Sequence, residues 1–351
     1  LSPESIRQDV KNFTEDSLVQ WFGKHDISPY RAGQILRWIY HRGVSSFSDM
    51  TDLSKDLRGF LSERLVITRL ETERVQTSRD GCKKYLFRLR DGQHVESVLI
   101  PEPGHWTLCI STQVGCAMGC KFCLTGRGGL VRNLEPAEIV NQICAVREDL
   151  QGPDPLTNIV LMGMGEPLAN YKSVVQAIGT IAGNNGLQFS SRRVTLSTAG
   201  LAPRIDDLGR DVKVNLAVSL NAADNDTRSR LMPINRTYPI EMVLSACRRF
   251  PLPPRRTIMF EYVLIAGVND TPSDAKRLAR LLRPLRAKIN LIPFNPYEGA
   301  EFERPEEGAI LAFQEVLLNL HYTAIIRHSK GCDICAACGQ LSPRCEIFAK
   351  N

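Results

Sequence analysis

The stretch WTLCISTQVGCAMGCKFC, residues 106–123, joins a strand-like run to three cysteines, Cys116, Cys120 and Cys123, in the spacing CxxxCxxC. The first half, WTLCIST, is apolar with β-favouring residues. Six more strand-like runs follow it: TNIVLMG, RRVTLST, VKVNLAVSL, TIMFEYVLI, KINLIPF and YTAIIRH. Between them lie the helix-like segments PAEIVNQICAVRE, YKSVVQAIGTIAG, PIEMVLSACRRF, SDAKRLARLLRPL and EEGAILAFQEVLLNL. Strands alternating with helices imply parallel βα units, as an open sheet or a barrel. In such folds the active site collects at the carboxyl ends of the strands. The chemically distinctive residues fall there: the three cysteines, Gly163-Met164-Gly165-Glu166, Ser197, Ser219 and Asn295.

Upstream, KKYLFRLRDGQHVESVLI has two alternating runs about Asp91-Gly92, the pattern of a β-hairpin. Residues 1–75 read as helical, with Ile35, Leu36, Ile39 and Tyr40 on one face and Leu53, Leu57, Leu61 and Leu65 at four-residue spacing. The expected division is a helical domain over 1–75, a β-extension over 76–104 and a βα domain over 105–345.

The 351 residues carry 44 Lys+Arg against 38 Asp+Glu, a formal charge of +6. With 43% hydrophobic and 23% charged residues the composition excludes a disordered or fibrous chain. Residues 1–75 hold 11 basic and 11 acidic side chains, so the excess lies outside them. Arg31, Arg37, Arg42, Arg58 and Arg64 in that region suit either phosphate contact or a solvated helix face. No run approaches the ~20 apolar residues that span a bilayer. LSPESIRQDV lacks the features of a secretory signal, so a cytoplasmic location is expected, where thiols stay reduced.

The 11 cysteines are an odd number, which favours metal or redox chemistry over a disulfide framework. Cys144 and Cys247 sit in apolar helical contexts and read as small buried hydrophobes. Cys82 has no evident partner. A structural zinc site normally takes four ligands, whereas the local run stops at three; a distant residue such as Cys109 would have to complete it. A [4Fe–4S] cluster held by three thiolates leaves one iron open to a substrate or cofactor.

CxxxCxxC with Phe122 before its last cysteine, just after the first strand of a βα array, resembles the signature of the radical S-adenosylmethionine (SAM) enzymes. That resemblance implies a partial (β/α)6-type barrel, with the β-extension and the helical domain added to it. Gly163-Met164-Gly165-Glu166-Pro167 is similar to the family segment that binds the methionine amino group. With VESVLIPE, Cys109, RRVTLSTAG, LMPIN, LIPFNP and the terminal AACGQL, the chain resembles the bacterial methyltransferases that modify adenosine C2 in 23S ribosomal RNA and in certain tRNAs.

The resemblance implies residue roles. Cys116, Cys120 and Cys123 would hold the cluster. Gly165, Glu166, Ser197, Ser219, Leu220, Asn221 and Asn295 would line the SAM site. Cys338 would carry the methyl group, Cys109 would resolve it and Glu96 would accept a proton. Adenine C2 is no nucleophile, so the family uses two SAM molecules per turnover: one methylates Cys338, and the other supplies a radical that activates that methyl. Loss of one electron and of the C2 proton, then attack by Cys109 on Cys338, would free the methylated RNA and leave a disulfide. A flavodoxin- or ferredoxin-like donor is implied as partner, with a monomeric enzyme and the target base unstacked. RNA contacts are expected from Arg127, Arg132, Arg192, Arg193, Arg204 and Arg236.

Two places depart from the family pattern. Asn221 stands where SLHA is usual, and Cys332 and Cys335 replace acidic or polar residues before AACGQL. Their roles, and that of Cys345, stay open, with metal binding, disulfide shuttling and no catalytic task as alternatives. The sister family that methylates adenosine C8 shares Glu96, Cys109, the cluster motif and Cys338. Pro167 and Pro293 resemble the C2 enzymes, the sister having Ala and Arg there. A non-catalytic metal- or thiol-based RNA-binding module is the remaining alternative.

Overall fold

The computed structural model describes residues 7–342. Ten strands form one sheet: β1 (Glu71–Thr77), β2 (Lys83–Arg88), β3 (His94–Glu102), β4 (His105–Cys109), β5 (Leu156–Leu161), β6 (Val194–Thr198), β7 (Asn215–Ser219), β8 (Ile258–Leu264), β9 (Ala287–Pro293) and β10 (Ala324–Ile326). Every strand lies beside its sequence neighbour. β1 to β4 form an antiparallel meander. From β4 onward all pairings are parallel. Helices supply each crossover: α4 (Pro136–Asp149), α5 (Tyr171–Ala182), α6 (Ala202–Asp211), α7 (Ile240–Arg249), α8 (Pro272–Leu282) and α9 (Glu307–Asn319), after α1 (Glu15–Gly23), α2 (Tyr30–Tyr40) and α3 (Lys55–Arg64) of the N-terminal region. This is the expected α/β architecture, six parallel strands with a short seventh at the edge.

The expected hairpin is β2 and β3, with Leu89 N–H donating to Gln93 O across the turn and Gly92 at φ +80°. The β-extension shares the sheet of the βα units, because β3 pairs with β4. Its first strand starts at Glu71, ahead of residue 75. Helix α6 escaped the sequence reading, although Ala202, Ile205 and Leu208 form its buried stripe at three-residue spacing.

Alternation along β8 shows how the sheet divides its faces. Ile258, Phe260, Tyr262 and Leu264 are fully buried, and the Tyr262 ring packs 5.2 Å from Phe313 of α9. The intervening Glu261 and Val263 face the opposite way, into a cavity. Helix starts are locally encoded: Thr271 and Asp274 form a reciprocal capping box at α8, with Pro272 at its first position. The N-terminal region docks through polar contacts. Buried Lys11 donates from Nζ to Asn141 Oδ1 at 2.5 Å and Thr68 O at 3.0 Å. Gln176 donates to Asn12 O at 2.6 Å. Among the described residues no helix is long and apolar enough to cross a membrane.

Candidate active site

After β4 the chain forms a lobe closed at its base by an antiparallel ribbon, Gln113–Gly115 with Leu130–Asn133. Gly115, at φ +74°, lies so close to Gly129 that a Cβ would sit 2.0 Å from its carbonyl oxygen. Only glycine closes this lobe. The C-terminal loop is stitched onto it: Leu124 N–H donates to Gly339 O at 2.7 Å, and Thr125 Oγ1 to Leu341 O at 2.6 Å.

One cavity lies between lobe, strand ends and C-terminal loop. Cys116, Cys120 and Cys123 line it with Gly165, Glu166, Ser197, Ser219, Asn221, Glu261, Asn295 and Cys338. Burial pushes the Cys116 thiol up to about 12, and raises those of Cys120 and Cys123. Neighbouring thiols add to the rise at Cys120, so the three form one electrostatic group. Three thiolates on a desolvated wall need a cationic partner, and the iron–sulfide core of a cluster supplies one. Among the described residues no three Cys, His, Asp or Glu side chains converge on a single ion. A cluster takes one thiolate per iron and does not require such convergence.

Cys338 faces this cavity, and Cys109 ends β4 beside it. Both thiols are free. Cys338 is reachable from the cavity yet enclosed by chain, and this burial, with the Glu261 carboxylate, pushes its thiol up to about 11. Cys109 is raised by burial first and by the charge of Cys338 second. The two sulfurs therefore lie within electrostatic reach of each other, with Glu261 near both.

Glu166 accepts Leu168 N–H at 3.0 Å on one oxygen and Ala199 N–H at 2.7 Å on the other. Burial outweighs these bonds and raises its pKa to about 7, which suits a carboxylate awaiting a cation. The glycines before it answer to the protein more than to a ligand. A Cβ on Gly163 would sit 2.7 Å from the Ile110 backbone, and one on Gly165 (φ +102°) 2.6 Å from Gln113 Cβ.

Ser197 and Ser219 donate to one Glu261 oxygen at 2.7 and 3.2 Å. Asn221, at φ +58°, accepts Val263 N–H on its side chain at 2.8 Å. Asn295 donates to Cys338 O at 3.1 Å, and Cys332 Sγ lies 3.9 Å from its Oδ1. Leu220 is buried outside the cavity lining, its carbonyl accepting from Arg228 at 3.1 Å. Glu96 is not in the lining either. It forms an ion pair with Lys84 at 3.1 Å, both side chains 2% exposed, beneath the loop whose Cys335 carbonyl accepts from Lys84 at 3.4 Å. Burial raises the Glu96 pKa, Lys84 opposing.

Cys247 is buried as expected and Cys144 packs against the core. Cys82 is fully buried against Gly331. Cys345 lies outside the described residues. Of the arginines singled out, Arg132 is tied to Glu138 and Asp91, and Arg204 to Asp207. Arg127 donates to Gly299 O at 2.6 Å. Arg192, Arg193 and Arg236 make no ion pair among the described residues. Sequence reasoning missed Glu261, although it is the one charged residue in strand IMFEYVL. It also missed Arg228, whose burial nothing local announced.

A parallel βα sheet with a three-thiol lobe after its first parallel strand, facing a glycine-rich turn across one cavity, defines the radical SAM class. Residues 110–282 match the Radical SAM superfamily, and residues 8–67 the Ribosomal RNA large subunit methyltransferase N-terminal domain. The chain superposes on the crystal structure of a radical SAM methyltransferase from Sphaerobacter thermophilus with a TM-score of 0.88 and 45% identity, covering 97% of this chain and 100% of that one. The dual-specificity RNA methyltransferase RlmN of Desulfosudis oleivorans is 54% identical over 100% of this chain and 95% of its own length. That of Geobacter sulfurreducens is 56% identical over 97% and 93%. The chain belongs to this family of RNA methyltransferases, RlmN.

Proposed function

We propose that this enzyme methylates C2 of an adenosine in 23S ribosomal RNA and in tRNA, with Cys338 as methyl carrier and two SAM molecules per turnover. The observation that carries the reading is the shared cavity: Cys338 opens onto the space walled by Cys116, Cys120 and Cys123, and its charge raises the thiol of buried Cys109 at the end of β4.

The three lobe cysteines would hold a [4Fe–4S] cluster, and Glu166 with the Ser197 and Ser219 strand ends would hold SAM. Bound there, the reduced cluster and SAM supply a hydrogen-abstracting radical. Cys338 takes the first methyl group as a thiolate, so its raised pKa makes proton removal part of that step. The nearby Glu261 carboxylate is placed to favour a proton on the thiol until a cation arrives. Asn295 fixes the Cys338 backbone, so the methyl points into the cavity from a defined position. After addition to C2, the adduct would give one electron back to the cluster site and its C2 proton to Glu96 once the C-terminal loop shifts. Cys109 would then attack the Cys338 sulfur, breaking its bond to carbon to release the product. An external flavodoxin- or ferredoxin-like donor supplies electrons, and the enzyme acts as a cytoplasmic monomer.

The test is nucleoside mass spectrometry of RNA treated with the anaerobically reconstituted enzyme. 2-Methyladenosine is expected. 8-Methyladenosine would assign the chain to the sister chemistry, and no methylated adenosine in the presence of reductant would support a non-catalytic binder.

A further inference from the structure

Arg228, on the short helix Asn225–Leu231, is fully buried. Its guanidinium donates to Ala199 O at 2.7 Å, Asn235 Oδ1 at 2.8 Å, Leu220 O at 3.1 Å, Tyr238 O at 3.3 Å and Ser219 O at 3.4 Å. All five acceptors are neutral oxygens, and among the described residues it makes no ion pair. Burial pulls its pKa down only to about 10, so the group is cationic at neutral pH. A buried charge without a counter-charge is costly, and such charges are normally paired or hold a ligand.

The missing anion has a place. Two buried thiols face Arg228: Cys247 of α7, which burial pushes up to about 12 and keeps protonated, and Cys120, the central cysteine of the lobe. The lobe rests on the Arg228 helix: Lys121 N–H donates to Leu231 O at 2.9 Å, and Gly119 abuts Pro233. A cluster bound by three thiolates is anionic overall, and reduction adds one more negative charge.

We propose that Arg228 is the buried counter-charge of the iron–sulfur site, holding the strand-end loops of β6 and β7 in place while favouring the electron-rich state of the cluster. It is a positioning residue and touches no reacting atom. The idea rests on the reading of Cys116, Cys120 and Cys123 as cluster ligands. It explains why neutral carbonyls gather round a guanidinium that no carboxylate meets: they solvate the cation without neutralising it, leaving its field for the neighbouring cluster.

The experiment is a redox titration of the reconstituted enzyme, following the cluster by electron paramagnetic resonance, in wild type, Arg228→Lys, Arg228→Met and Asn235→Asp. The last variant keeps the guanidinium but sets a carboxylate against it. At the wild-type midpoint, Arg228→Met and Asn235→Asp should each show about a tenfold smaller ratio of reduced to oxidised cluster, equivalent to a midpoint about 59 mV lower for one electron. Arg228→Lys should stay close to wild type. If Arg228→Met does not fold, Asn235→Asp decides alone. An unchanged midpoint in folded, iron-loaded Asn235→Asp would overturn the proposal and leave Arg228 a structural pin. Wild-type protein that binds no iron would instead overturn the cluster reading itself.

Discussion

Replacing Lys84 by Met removes the ion-pair partner of Glu96 in a site where both side chains are 2% exposed and 3.1 Å apart. At an effective dielectric constant near 20, charges at that distance attract by about 5 kcal/mol before desolvation is counted. Breaking such a pair from one side typically costs about 3–5 kcal/mol. Glu96 can escape part of that cost by taking up a proton. From its ordinary value of 4.5, protonation costs about 3.4 kcal/mol at pH 7 but only about 0.8 kcal/mol at pH 5. The sign follows from linkage. A carboxyl raised by folding contributes most at low pH, and that contribution is lost as pH rises. The Lys84→Met deficit should therefore be near 3 kcal/mol at pH 7 and shrink by up to about 2.5 kcal/mol at pH 5. Urea denaturation at both pH values measures it, and Lys84→Met/Glu96→Gln should recover much of the loss at pH 7. A deficit below about 1 kcal/mol at pH 7, or one that grows on acidification, would refute the reasoning.

Three further outcomes are expected. Gly165→Ala drives a Cβ against Gln113 in a positive-φ turn, so it should lower both the melting temperature and the affinity for SAM, as read by calorimetry. Glu166, raised to about 7, must ionise to receive an ammonium group, so affinity for S-adenosylhomocysteine should rise roughly tenfold between pH 6 and pH 8. Glu166→Gln should flatten that profile, measured by equilibrium dialysis. Arg192→Gln and Arg236→Gln should each lower the salt slope of RNA binding by about 0.7–0.9, whereas Arg132→Gln, removing a paired side chain, should act on stability and leave the slope unchanged.

The strand rhythm, the hairpin at Asp91-Gly92 and the cysteine lobe were legible because each is a local pattern: alternation, turn chemistry, spacing. Helix α6 was missed because its segment is short and rich in charge, which hid the stripe of Ala202, Ile205 and Leu208. Of the residues expected to line a SAM site, the cavity gathers Gly165, Glu166, Ser197, Ser219, Asn221 and Asn295, and leaves out Leu220. What the motifs did not carry is how these residues are held. Glu261 binds Ser219 from 42 residues and Ser197 from 64 residues away, and Lys84 meets Glu96 only through pairing of β2 with β3. Glycine at 163 and 165 answers to the chain's own segment 110–113, a close approach that no local pattern announces. Such causes are long-range contacts, and one sequence does not record its own distant pairings.

The central claim is that the methyl group travels through Cys338 and loses a hydrogen on the way. SAM carrying a fully deuterated methyl group tests it directly, with mass spectrometry of the modified adenosine. The account predicts a methyl that retains two of the three deuterium atoms, together with loss of all product in Cys338→Ala. A product keeping all three, or full activity without Cys338, would contradict it.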